Sequence, residues 1–131
     1  MPDQDGETVR HQHGETVRLS AADIGAELGA RATLVQFSSA FCQPCRATRR
    51  VLGEVAAMVD GVAHVEIDAE ARLELVRALE VRATPTTLVL DAEGRVVRRA
   101  AGQPRRADVI AALGAAVRHA VAPGASTVHG A

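Results

Sequence analysis

The stretch Leu34–Arg50, LVQFSSAFCQPCRATRR, decides how this chain folds. An apolar run leads in and an arginine-rich run leads out. Between them stand Cys42 and Cys45, the only two cysteines in 131 residues. Ala32–Phe37 (ATLVQF) is short and mostly apolar, the pattern of a strand covered on both faces. From Cys42 to about Val59, Leu52, Val55, Ala56 and Val59 recur at helical spacing, while Arg46, Arg49, Arg50 and Glu54 take the other side. That pattern predicts an amphipathic helix. Cys42-Gln43-Pro44-Cys45 therefore opens a helix just after a strand and a short loop. Unpaired N–H groups and the positive end of the peptide dipole favour an anion there. Such a site lowers a thiol pKa from about 8.5 to between about 3.5 and 7.5. Two intervening residues at a helix start bring the sulfurs within bonding reach. Cys42 is expected to be the exposed attacking thiol and Cys45 the more buried, resolving one. Pro44 has no N–H to lose in the first turn and stiffens the loop.

Working outward, Thr16–Leu19 reads as a short edge strand. Ser20-Ala-Ala-Asp23 begins a capped helix with Ile24 and Leu28 at helical spacing, closed by Gly29. Gly53 in the long helix costs about 1 kcal/mol relative to Ala and marks a candidate bend. Val62–Asp68 (VAHVEID) alternates like a strand, and EARLELVRALEV returns to helical period through Leu73, Val76 and Leu79. TTLVLD and RVVRRAA are strands joined by AEG in a hairpin. Pro104 suits a helix start, and Val109, Ile110, Leu113, Ala116 and Val117 form the stripe of a closing helix. The order β-α-β-α-β-α-β-β-α predicts an α/β fold with one mixed central sheet and helices on both faces.

The length fits one domain, expected over residues 16–121 between a flexible arm at 1–15 and a flexible tail at 122–131. GETVR occurs at Gly6–Arg10 and again at Gly14–Arg18, with HQH between, as a local duplication lengthening the arm. Apolar content is 47% and net charge -1, which gives no electrostatic basis for a nucleic-acid or membrane partner. No N-terminal stretch reads as a signal peptide, and no run approaches the roughly 18 apolar residues of a membrane span. A cytoplasmic protein is the expectation. In a reducing compartment a close cysteine pair is catalytic or metal-binding rather than structural. The metal alternative is half a zinc site. It lacks further ligands, since the five histidines, His11 and His13 included, show no second paired spacing.

At these residues the sequence resembles the thioredoxin family, over about Thr16 to His119. LVQFSSAFCQPCR looks like the family's active-site strand and loop, and VRATPTTLVLDAEGRVV like its second signature. By that resemblance the fold is thioredoxin-like, Pro85 is a cis-proline facing the disulfide, and the Thr84 backbone pairs with bound substrate. Gly102 falls where the family keeps a groove glycine, and Phe41, Gln43 and Pro44 border the same groove. The sequence departs from the pattern at several places. Phe41 replaces the usual Trp, Gln43 the usual Gly, and Arg50 the proline that often kinks the helix. Gln36 stands where the family has a buried Asp, and His64 where that Asp has a Lys. A Gln amide cannot accept the resolving thiol's proton. Neutral His64 is therefore a candidate acceptor, directly or through water, with Gln36 holding its ring.

The resemblance implies a thiol–disulfide oxidoreductase that needs no metal or organic cofactor. It would act on disulfide-containing proteins and take electrons from a thioredoxin reductase or equivalent donor. The competing reading is a redox-sensing or adaptor domain whose disulfide switches an interaction with little turnover.

Overall fold

A computed structural model describes residues 17–124. The predicted arm, with His11, His13 and the first GETVR copy, lies outside the described residues, as do residues 125–131.

Ser20 caps the first helix as its sequence predicts. Its hydroxyl accepts from the Asp23 N–H, and the Asp23 carboxylate accepts from the Ser20 N–H. The helix is shorter than expected, however. α1 is Ala21–Ile24, stopped by Gly25 in the left-handed region at φ 74°. Gly29 serves another purpose, because a Cβ there would lie 2.2 Å from the Ala32 carbonyl oxygen. β1 (Ala32–Ser38) follows and is buried at every position, as its apolar composition requires. α2 (Gln43–Met58) runs through Gly53 and Arg50 as one helix.

β2 (Val62–Asp68) leads into a 3₁₀ turn, Ala69–Ala71, and then α3 (Leu73–Ala78). One continuous helix was expected there. Asp68 instead accepts the Glu70 N–H and tightens the turn before α3 begins. β3 (Thr86–Asp91) and β4 (Val96–Ala101) form the predicted hairpin. Buried Asp91 holds its turn by accepting the Glu93 and Arg95 N–H groups at 3.0 and 2.9 Å. Gly94, at φ 89°, lets the chain pass under Leu19, whose carbonyl oxygen leaves no room for a Cβ. α4 is Arg106–Gly124, so the helix continues past Ala122, where the tail was placed.

The sheet order is β2-β1-β3-β4, with β1–β2 parallel and the other pairs antiparallel. The expected first strand is reduced to one bridge, Arg18 to Arg95, with flanking bonds from Val96 N–H to Val17 and from Leu19 N–H to Gly94. Alternation along β1 sorts the core into two layers. Val35 and Phe37 pack with Ile24, Leu75 and Leu79 from α1, α3 and the residue just after α3. Leu34 packs with Leu52 and Val55 of α2 and Val109 and Leu113 of α4. Helices thus cover both faces of a mixed sheet.

Candidate active site

Register gathers the site at one end of the sheet. Phe37 at the end of β1 pairs with Thr86 at the start of β3, and Thr86 pairs with Ala101 at the end of β4. The loop to Cys42, the Thr84–Pro85 peptide and Gly102 each lie one step beyond these residues. They therefore converge. The Thr84–Pro85 bond is cis, and the Gly102 N–H donates to the Pro85 carbonyl at 2.8 Å. The Ser39 and Thr84 hydroxyls hydrogen-bond at 2.8 Å, joining the cysteine loop to the proline loop.

Cys42 and Cys45 are joined as a disulfide. Cys42 is the N-cap of α2, and its sulfur accepts the Cys45 N–H at 3.2 Å. It is partly exposed, whereas Cys45 is 1% exposed. An incoming group therefore reaches Cys42 first. Gln43 and Pro44 are exposed in the first turn. Phe41 is fully exposed at φ 62°, a backbone region that costs a non-glycine residue on the order of 1–3 kcal/mol. Its ring is thus presented to solvent beside Cys42. Gly102 has φ 86° and open space where a Cβ would stand.

Beneath the cysteines, fully buried Gln36 donates to the Ser38 hydroxyl and to the Cys45 carbonyl, both at 2.9 Å. Both amide hydrogens are thereby used, so the side-chain oxygen must be the group that faces His64 Nε2 at 3.1 Å. The ring donates there, which leaves Nδ1 bare in the neutral form. That nitrogen lies on the α2 side, near Gly53. Burial pushes the His64 pKa below its ordinary value; the Glu66 charge opposes the shift and the Arg49 charge adds to it. Arg49 of α2 forms a two-pronged pair with Glu66 of β2, both contacts 2.7 Å. Hydrogen bonding from Arg49 holds the Glu66 carboxyl below the usual range. A polar cleft of about 360 Å³, lined by Ser38, Ser39, Arg49 and Glu66 among others, brings solvent to this side.

The structure thus brings Cys42, Cys45, Thr84, Pro85 and Gly102 to one end of the sheet, and joins Gln36 and His64. Sequence reasoning missed Ser38, Ser39, Arg49 and Glu66. Alternation on β2 held a signal for Glu66, since it shares a face with His64 and pairs in register with Gln36. Among the described residues no group of three or more His, Cys, Asp or Glu side chains is placed to hold a metal ion. Nor is any described helix long and apolar enough to cross a membrane.

The thioredoxin family model matches residues 16–115. No curated protein matches the chain. Among solved structures, a mutant thioredoxin from Halobacterium salinarum is similar with TM-score 0.60 and 21% identity, covering 66% of this chain and 75% of that one. Thioredoxin from Fasciola hepatica is similar with TM-score 0.58 and 20% identity, covering 67% and 83%. Thioredoxin-2, a component of malaria parasite protein secretion machinery, gives TM-score 0.58 and 17% identity, covering 65% and 82%. At these identities the likeness is one of fold.

Proposed function

The chain belongs to the thioredoxin family, and from that footing we propose that Cys42 is the nucleophile and Cys45 the resolving thiol of a protein-disulfide reductase. As a family member with a Cys42–Cys45 pair, it is a thiol–disulfide oxidoreductase acting on disulfide-containing substrates. The observation that carries the assignment of roles is the asymmetry of the pair: Cys42 caps α2 with access to solvent, and Cys45 is buried.

In the reduced protein the Cys45 N–H and the α2 N-terminus stabilise the Cys42 thiolate. This thiolate attacks one sulfur of a partner disulfide, forming a mixed disulfide and releasing the other partner sulfur as thiolate. Cys45 then loses its proton and attacks Cys42, which expels the second partner thiolate. Two electrons pass to the partner, and the Cys42–Cys45 bond of the present structure results. A thioredoxin reductase or equivalent dithiol donor restores the thiols. Phe41, Gln43, Pro44, Thr84 and Gly102 border the substrate segment, supported by the exposed Phe41 ring and the open space over Gly102. Pro85 holds the opposing wall. His64 orients Gln36 through Nε2–H, and its bare Nδ1 lies beside Gly53, about 12 Å along α2 from Cys45, so acceptance of the Cys45 proton by this ring runs through water rather than directly.

We place the protein on the reductant side, working in the cytoplasm. Insulin reduction with a chemical dithiol tests turnover, and Cys45→Ser should trap partners covalently through Cys42. A couple near −270 mV fits a reductant, whereas one near −120 mV belongs to a strong oxidant. A stable disulfide without turnover would instead favour the sensor or adaptor reading, for which Gln36 in place of a carboxylate is the supporting feature.

A further inference from the structure

Thr87 Oγ1 is the one buried side-chain polar atom among the described residues with no hydrogen-bond partner. A threonine hydroxyl has one hydrogen to donate, and leaving it unmet in a residue 3% exposed is costly. Water does not relieve the cost, because the oxygen is closed to solvent. A partner has to be sought inside the fold, in a state other than the disulfide form.

Register sets Thr87 beneath the buried cysteine. Thr87 pairs with Gln36 across the β1–β3 ladder, and side chains directly opposite stand about 4.5–5.5 Å apart at Cβ on one face of the sheet. That face is the one α2 and α4 cover, since Leu34, two residues before Gln36, and Val89, two after Thr87, both pack there. From it Gln36 reaches the Cys45 carbonyl at 2.9 Å. Cys45, 1% exposed, therefore lies over Gln36, with Thr87 the next side chain across the ladder.

The other polar groups at this place are engaged. Gln36 spends both amide hydrogens on Ser38 and Cys45, and its oxygen faces His64. Thr48, buried three residues after Cys45 on α2, donates to the Pro44 carbonyl at 2.8 Å. Only the Thr87 hydroxyl is uncommitted. In the disulfide form Cys45 Sγ is bonded to Cys42 Sγ and carries no charge. Once that bond is reduced and the thiol ionises, a buried thiolate calls for a hydrogen-bond donor.

Resting on the reductase reading above, we propose that the Thr87 hydroxyl donates to the Cys45 sulfur in the reduced protein and steadies its thiolate during resolution. In the mixed disulfide the Cys45 thiol gives its proton to water, and Thr87 Oγ1–H hydrogen-bonds to the thiolate without transferring its own proton. The thiolate attacks Cys42 Sγ. The Cys42–Cys45 bond forms as the bond from Cys42 to the partner breaks, and the electron pair leaves on the partner thiolate. The hydroxyl is then left without an acceptor, as it stands in the oxidised protein. Because its bond exists only in the reduced form, Thr87 favours the dithiol and raises the reduction potential.

Thr87→Val deletes the hydroxyl while keeping the branched shape, and Thr87→Ser restores it. Equilibration of each full chain with glutathione at pH 7, read by thiol titration, measures the couple. Thr87→Val should favour the disulfide about tenfold, a potential about 30 mV more negative, and resolve a mixed disulfide of Cys42 with glutathione about tenfold more slowly. Thr87→Ser should match the parent in both. Thr87→Val should also raise the unfolding midpoint of the oxidised protein and not that of the reduced protein, a difference that a packing role would not produce. The proposal is overturned if Thr87→Val keeps the parent's potential and resolution rate, or stabilises both forms equally, while the parent still reduces insulin. A parent that reduces no insulin overturns the reductase reading, and this role for Thr87 with it.

Discussion

Replacing Gln36 by Met keeps the length and approximate volume of a fully buried side chain while deleting its amide. Three hydrogen bonds disappear: those to the Ser38 hydroxyl and the Cys45 carbonyl, at 2.9 Å each, and that to His64 Nε2 at 3.1 Å. At about 1 kcal/mol per bond, with stranded partners adding to the loss, the variant should be about 3 kcal/mol less stable. That is a large share of a domain's usual 5–15 kcal/mol, roughly a third. Guanidinium unfolding of the oxidised protein, followed by far-ultraviolet circular dichroism because the chain has no Trp or Tyr, measures it as a lower midpoint with unchanged slope. Nitrogen-15 spectra of His64 add a second reading: Nε2 should be the protonated nitrogen in the parent protein, and the variant should lose this fixed tautomer. A destabilisation below about 1 kcal/mol, or an Nδ1–H tautomer in the parent, would refute the network as derived.

Other expectations follow from the same geometry. His64 and Glu66 both have pKa values lowered in the fold, so the unfolded chain takes up their protons first as pH falls. Their contribution is complete above the ordinary values and lost as pH drops through the folded ones. Stability should decline from near pH 6.5 through His64 and further below pH 4.5 through Glu66. His64→Asn should remove the upper phase, and an unchanged pH profile would contradict the assignment. Ser39→Ala and Thr84→Val should show a coupling of about 1 kcal/mol in a double-mutant unfolding cycle; strict additivity would mean the clasp between the loops is idle. Gly53→Ala should stabilise α2 by about 0.5–1 kcal/mol, because its new methyl meets nothing nearer than His64 Nδ1 at 3.9 Å. A drop in melting temperature would show that His64 needs the space.

The features legible in the sequence were those encoded by local period and by residue type. The all-buried β1, the amphipathic α2 and the β3–β4 hairpin follow from spacing alone. The cis bond before Pro85 came from the family resemblance. The Ser20 capping box was readable, yet the end of α1 was not. Two glycines follow Ile24, and only the fold shows that Gly25 takes the left-handed turn while Gly29 makes room for the Ala32 carbonyl. The break before α3 was hidden because the Asp68 cap competes with an otherwise sound helical period. Contacts between elements were hardest to see. Arg49 and Glu66 sit on a helix and an edge strand, and Ser39 and Thr84 lie 45 residues apart. Chain spacing says nothing about such pairs until register is known. The Thr87 orphan is of the same kind, since a strand threonine reads as ordinary until the fold is seen to bury its hydroxyl without a partner.

The role given to Cys42 can be read from alkylation of the reduced protein by iodoacetamide across pH, with the modified residue located by mass spectrometry. Cys42 should react alone, with a midpoint below about 7.5, while buried Cys45 stays unmodified. Equal labelling of both thiols, or a Cys42 midpoint near the free-thiol value of about 8.5, would contradict it.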